Sequence, residues 1–361
     1  MAELKFTDLY TVSPDDMKWE IPQDFDNLFD FTYSDQNQNL LNLYEKGKRM
    51  QWNASDRIDW DLDLDEDNPV GLPEELFALY GYEPYMKMPD KEKARVRRHF
   101  QAWNNSQFMH GEQGALICAS KTVQQVPNME AKFYAATQVI DEARHVEAYK
   151  RLMSKFGIIY PMAGPLKTLL DQVLRDKRWD MTYLGMQVVI EGLALAAFAG
   201  IRDHATNPLA TQVNAYVMQD EARHVAFGRL SLREYYPQLT QAERDEREEF
   251  LVEACFLMRD RFEAKDVWAN MEMNVEECVR HIKVSEGMQM FRKFLFNRIV
   301  PVVKDIGLWG DKIQEGYGKM GVLEFANVDI EAMQRQDEDI AKEYDARREH
   351  IKEIADIGAA E

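Results

Sequence analysis

The chain has 361 residues, with 44 lysines and arginines against 63 aspartates and glutamates, a formal net charge of −19. That balance argues against a general nucleic-acid binder, whose phosphate contacts need basic residues, and against adhesion to an anionic membrane. With 45% apolar and 30% charged residues it can bury a sizeable core, and its three cysteines (Cys118, Cys255, Cys278) form no CxxC pair, so disulfide frameworks, zinc ribbons and rubredoxin-like iron sites are not expected.

The first ten residues, MAELKFTDLY, lack the basic start and apolar run of a secretory signal, so a cytoplasmic protein is expected. Residues 1–90 are rich in Asp, Asn, Trp and Tyr. Their acidic run Asp59–Asp67 lacks the glycine register of a calcium loop and reads as part of a solvated lead-in, held to the rest by a few tryptophans and given no function. From about Lys91 the apolar residues recur at three and four, the helical period, while proline and glycine are sparse at 12 and 18. Caps and breakers predict long helices over 91–124, 129–156, 180–205 and 209–236. A crossover with a short helix after Pro165 joins the second to the third. Further helices are predicted over 241–267, 275–303 and 329–357, and the face carrying Glu243, Glu246, Arg247 and Phe250 reads as ordinary amphipathic packing. The expected fold is all-α: an acidic and aromatic lead-in at 1–90 packed on the bundle, a four-helix bundle at 91–240, and additional helices of the same domain at 241–361. The most apolar window, Met186–Ile201, falls short of the roughly 20 residues that span a bilayer and carries Glu191, so it reads as a buried helix.

An internal repeat supplies the chemistry. Asp141-Glu142-Ala143-Arg144-His145 recurs as Asp220-Glu221-Ala222-Arg223-His224, and each copy has a glutamate 30 residues upstream, Glu112 and Glu191. Within each copy Glu and His lie three apart, on one helical face. Pro127 falls midway between Glu112 and Glu142, and the turn near Thr206 falls midway between Glu191 and Glu221. Each copy therefore folds as a helical hairpin with two carboxylates and an imidazole at one height, and two hairpins facing each other place four carboxylates and two histidines inside a bundle. Such a cluster needs cations to offset its repulsion and desolvation, and two divalent ions supply the right charge. Carboxylate oxygens with one imidazole per ion suit iron or manganese.

On these residues the chain resembles the ferritin-like di-iron carboxylate superfamily, with likeness to bacterial monooxygenase hydroxylase subunits and to ribonucleotide reductase small-subunit-like oxidases. The resemblance implies that Glu112, Glu142 and His145 hold one iron and Glu191, Glu221 and His224 the other, with one or two glutamates bridging. It places Asp141, Arg144, Asp220 and Arg223 around the ligands, holding the second nitrogens of the histidines. It implies two Fe ions per chain, with a Mn/Fe pair as the alternative, and O2 as co-substrate. The activity implied is an oxygenase or oxidase acting on a small or medium organic substrate by hydroxylation, N-oxygenation, desaturation or oxidative cleavage. No Gly-rich dinucleotide fingerprint is apparent, so a separate electron donor is expected. A homodimer is the assembly the resemblance implies.

One departure from the hydroxylases is Leu195, where they usually carry a threonine one turn after the third glutamate. Two alternative functions stand beside this one. Tyr149, one turn beyond His145, stands where ribonucleotide reductase small subunits carry a radical tyrosine, which makes a radical-generating oxidase one of them; ferritin- or rubrerythrin-like handling of iron or peroxide is the other. His99, His110, His204, His281 and His350 lack a partnered spacing and read as hydrogen-bonding residues. Cys118 reads as buried and inert, and Phe108, Leu116, Phe198, Met186 and Met218 as core, some of them lining a pocket beside the metals.

Overall fold

A computed structural model describes residues 5–12, 18–33 and 35–340, together with 342, 343 and 346. Among them the fold is helical, with one isolated β-bridge between Tyr10 and Ile159. The lead-in contains a helix, α1 (Gln38–Arg49), started by Asn37, whose side chain accepts from the Leu40 amide. The first hairpin is α2 (Asp90–Gln125) and α3 (Met129–Phe156). Asn128 caps α3 by accepting from Ala131, and Gly157 ends it with φ 67°, a left-handed conformation that favours glycine. After the crossover helix α4 (Gly164–Arg175), the second hairpin pairs α5 (Trp179–His204) with α6 (Pro208–Tyr235), which Asn207 caps through the Leu209 and Ala210 amides.

α2 packs along α3 and α5 along α6, while α3 faces α6, so the two hairpins close a four-helix bundle. A continuous apolar core runs from Leu40 to Val322 and ties the bundle to the flanking helices. α5 is long and apolar enough to cross a membrane by length and composition, but 83% of its apolar window is buried inside the protein, as a core helix requires. Its Leu184–Ile190 segment is wound as π-helix and leads directly into Glu191. Close approach holds that segment. A Cβ on Gly185 would stand 2.2 Å from Val173 Cγ2, and one on Gly228 of α6 2.5 Å from Gln187 Cβ.

Several sequence expectations change. The helix predicted over 241–267 is α7 (Gln241–Asp260), followed by a 3-10 turn, Arg261–Glu263, and Ala264 at φ 47° before α8 (Lys265–Asn270). The turn buries Trp268 and lets its Nε1 donate to the Glu263 carbonyl at 2.7 Å. The helix predicted over 275–303 is three: α9 (Val275–Val284), α10 (Glu286–Phe294) and α11 (Ile299–Asp305). Ser285 breaks the run by capping α10 at Met288, and Arg292 donates to the Ile282 carbonyl across the break at 2.6 Å. α12 (Asp311–Met320) packs on α7. Of the helix expected over 329–357, residues 330–340 are helical, and the stretch past 346 lies outside the described residues. In the lead-in, α1 packs on α3 and α6. On α7, Arg247 is buried and pairs with buried Asp180 at 3.0 Å.

Candidate metal centre

α2, α3, α5 and α6 each contribute to one buried cluster. Glu112 comes from α2, Glu142 and His145 from α3, Glu191 from α5, and Glu221 and His224 from α6. None of the six is more than 5% exposed. His145 Nδ1 lies 3.2 Å from Glu112, 3.3 Å from Glu142 and 3.1 Å from Glu221. His224 Nδ1 lies 3.1 Å from Glu142, 3.3 Å from Glu221 and 3.8 Å from Glu191. Glu142 and Glu221 therefore approach both imidazoles, whereas Glu112 and Glu191 stand beside one each.

The second nitrogens cross over. His145 Nε2 donates to Asp220 at 3.0 Å and His224 Nε2 to Asp141 at 3.3 Å, so each histidine is held by the aspartate of the opposite repeat. Arg144 donates to Asp141 (2.5 Å) and Asp220 (2.7 Å), and Arg223 donates to the same two aspartates. Two aspartates and two arginines thus form a neutral, buried knot under the histidines, which fixes both imidazoles with Nδ1 facing the carboxylates.

Glu142 Oε2, Glu191 Oε2, both Glu221 oxygens and His224 Nδ1 are buried without a hydrogen-bond partner, although their neighbours stand close. Adjacent ligands of one ion with bonds of about 2.1 Å lie about 3 Å apart. Two groups offer ligand atoms that all lie within 4.8 Å of one another, near enough to close on one ion each: Glu112, Glu142, His145 and Glu221, and Glu142, Glu191 and His224. The donor set is of the hard oxygen and imidazole type that iron and manganese take.

Electrostatics point the same way. Burial, then Glu221, pushes the Glu112 carboxyl up to about 8, and burial with the surrounding glutamates holds Glu191 well above the usual range. Burial opposes charge on both histidines, but their carboxylate neighbours, led by Glu112 for His145 and Glu142 for His224, hold both well above normal. Burial works against Asp220 too, yet Arg223, His145 and Arg144 keep it ionised. Protons thus offset the carboxylates in the metal-free cluster.

Four further residues reach this region that sequence reasoning left unassigned. Gln138, one turn before Glu142, donates to Glu142 and Glu191, both at 2.9 Å. From the lead-in, Gln51 donates to Asp141 at 2.7 Å and accepts from Arg144 at 2.8 Å, while Trp52 Nε1 donates to Asp220 at 2.8 Å beneath the Arg144 guanidinium. Arg261 lines the cavity next to the cluster. Only Gln138 left a trace in the sequence, through its helical spacing from Glu142.

That cavity holds about 30 Å³ and reaches Glu112, Glu191 and Glu221 between Phe108, Phe198 and Ile190. The rings of Phe108 and Phe198 meet edge to face at 4.8 Å. Tyr149 packs on both rings and donates its hydroxyl to Asn214 at 3.0 Å. His99, His110, His204 and His281 stand away from the cluster and bond to Tyr160, to the Tyr160 carbonyl, to Gly200 and to Tyr80. Cys118 is buried, which pushes its thiol up and leaves it inert.

A four-helix bundle enclosing four glutamates and two histidines in this order belongs to the ferritin-like dinuclear carboxylate oxygenases and oxidases. The sequence profile of the family described as P-aminobenzoate N-oxygenase AurF matches residues 33–307, about three quarters of the chain, and the chain belongs to that family. No curated protein matches. Among solved structures, an R2-like ligand-binding oxidase with an aerobically reconstituted metal cofactor after photoconversion is 17% identical, with a TM-score of 0.50 over 76% of this chain and 95% of that one. A tyrosine-to-phenylalanine variant of an R2-like ligand-binding oxidase, with an anaerobically reconstituted Mn/Fe cofactor, is 17% identical, with a TM-score of 0.50 over 78% of this chain and 98% of that one. A Synechococcus protein with aldehyde deformylating oxidase activity is 15% identical, with a TM-score of 0.47, covering 62% of this chain and 97% of the other. At these identities the first two likenesses concern the fold.

Proposed function

We propose that this protein N-oxygenates an aromatic amine with O2 at a dinuclear iron centre, within the oxygenase and oxidase class to which its family belongs. The observation that carries the reading is the match to the N-oxygenase family across all four bundle helices. In this reading Glu112, Glu142, His145, Glu191, Glu221 and His224 would hold the two ions, Glu112 lying beside His145 and Glu191 beside His224. When bound and reduced, the metal pair supplies electrons to dioxygen. Asp141 and Asp220 hold the imidazoles in one tautomer, and Arg144 and Arg223 hold those aspartates in place. Gln138 orients Glu142 and Glu191 while leaving their other oxygens free. Phe108, Phe198 and Ile190 keep water from the cavity and present an apolar wall to an aromatic ring. Because the cavity holds only about 30 Å³, the ring enters by turning these side chains aside. Tyr149 donates its hydroxyl to Asn214 and packs the wall.

N-hydroxylation places one atom of O2 in the amine as a hydroxylamine and the other in water, consuming two electrons and two protons. A separate cytoplasmic electron donor is assigned to supply them. The test is single-turnover oxidation of p-aminobenzoate and related anilines by protein loaded with two Fe(II), under ¹⁸O2 with a chemical reductant. One labelled oxygen on nitrogen is expected by mass spectrometry. A two-iron protein that consumes O2 with the whole aniline set yet forms no labelled N–O product would refute the reading.

A further inference from the structure

Two of the ligand glutamates are preceded by the same pair of residues. Tyr134 and Gln138 stand eight and four before Glu142 on α3, and Tyr183 and Gln187 stand eight and four before Glu191 on α5. On each helix one stripe therefore runs from a tyrosine through a glutamine to the cluster, over about 12 Å. The stripes converge inside the bundle. Both tyrosine rings pack on Phe227 of α6, at 4.5 and 5.0 Å, and Gln187 lies against Gly228, where a Cβ would come within 2.5 Å of its own. Gln138 touches Glu142 and Glu191, and Tyr183 stands beside Ser231, a partly exposed residue one turn past Phe227. The two tyrosines and two glutamines are themselves fully buried.

These polar groups do not satisfy one another. Among the described residues, the Tyr134 and Tyr183 hydroxyls, Gln138 Oε1, Ser231 Oγ and both ends of the Gln187 amide are buried without a hydrogen-bond partner. Gln187 is the one buried amide side chain among them with neither its oxygen nor its nitrogen bonded. The opposite side of the cluster is built otherwise, for there Tyr149 donates to Asn214 and Asn214 donates to the Ala210 carbonyl at 2.7 Å. Unmet polar atoms concentrated in one part of a core are costly, and internal water is the ordinary remedy.

We propose that the two stripes enclose a file of internal waters that carries protons between Ser231, at the partly exposed end, and the ligands Glu142 and Glu191. Each hydroxyl or water takes a proton on one side as it gives one up on the other and so ends neutral, while the two amides orient the waters. Phe108, Phe198 and Ile190 wall the substrate cavity against water, and Leu195 puts no hydroxyl beside the third glutamate, so the protons consumed with O2 need this second route. The inference rests on the oxygen chemistry of the family and not on the amine substrate.

Two measurements test it, and neither uses an organic substrate. A high-resolution crystal structure of the two-iron wild type should show ordered waters bonded to Gln187 and to both tyrosine hydroxyls. A dry column there overturns the proposal even if no variant folds. In stopped flow, Tyr134→Phe, Tyr183→Phe and Gln187→Leu proteins that hold two irons should oxidise them with O2 at least tenfold more slowly than the wild type, with the ratio of rates in H2O and D2O at least doubled. Variants within twofold of the wild-type rate overturn the proposal, and so does a slower rate with an unchanged isotope ratio, which marks a structural effect alone. Because these readings need no amine, failure to form an N–O product removes the proposed reaction and leaves the proton route standing, whereas a dry column removes the route alone.

Discussion

Glu142 and Glu221 differ from the other glutamates in reaching both imidazoles within 3.3 Å. Replacing Glu142 with Ala should therefore lower bound iron from two per chain to one or none, measured by elemental analysis after gel filtration, whereas Glu112→Ala should spare the site around His224. Protons report on the same residues. Glu112 titrates near 8 in the folded, metal-free protein against an ordinary 4.5, so between those values the folded state holds a proton that the unfolded chain has lost. That contribution to stability is full below about 4.5 and disappears as pH rises through 8. Metal must displace this proton and those on Glu191 and the imidazoles, so iron affinity should rise with pH up to about 8, with net acid release on titration in weak buffer. Uptake with no proton release would contradict the cluster's charge state. A second buried cation has a purely structural part. Lys121 donates to the carbonyls of Val173, Leu174 and Asp176 at the end of α4, bonds that the helix itself cannot make. Lys121→Met should cost about 3 kcal/mol in urea unfolding with little change in metal content.

Helix ends were legible wherever one local residue decides them. Asn128, Gly157 and Asn207 cap or stop their helices through contacts within four residues, so the hairpins could be drawn from sequence nearly to the residue. The six inward residues were legible for a similar reason, because duplication repeated a helical spacing. What escaped depends on distant partners. Nothing in the composition of Leu184–Ile190 announces a π-helix, which packing against Val173 and Gly228 holds in place. Ala264 turns left-handed without a glycine to signal it, at a cost of about 1–2 kcal/mol that burial of Trp268 offsets. Trp52 meets Asp220 across 168 residues, a contact no spacing rule finds. The exchange of aspartates between repeats was hidden too, since each Asp precedes its own ligands in sequence but serves the histidine of the other. The π segment gives the element-scale prediction. Gly228→Ala sets a methyl 2.5 Å from Gln187 Cβ, so the segment must shift, and Glu191 begins where it ends. Iron at the His224 site should bind several-fold more weakly, by competition with a chelator, together with a loss of about 1–3 kcal/mol in stability.

Across the whole molecule the metal site and the lead-in are one structure. Asp220 accepts from His145 within the bundle and from Trp52 in the lead-in, and Asp141 joins His224 to Gln51 in the same manner. Ions held jointly by α2, α3, α5 and α6 would tie the two hairpins together, so the aspartates, and through them residues 51 and 52, are held more firmly when the centre is loaded. Metal binding to the folded state alone also adds stability, about 2.7 kcal/mol when free metal is a hundredfold above its dissociation constant. Both effects predict that chelation lowers the melting temperature by several degrees. The gap should narrow as pH falls from 8 to 6, because protons then compete for the same carboxylates and imidazoles. Chelation should also speed limited proteolysis in the lead-in relative to the α2–α3 hairpin. Differential scanning calorimetry at pH 6, 7 and 8 under anaerobic Fe(II) checks the first effect, and mass-mapped proteolysis checks the second. Equal melting temperatures with and without iron would mean that these six side chains carry no metal that the fold depends on.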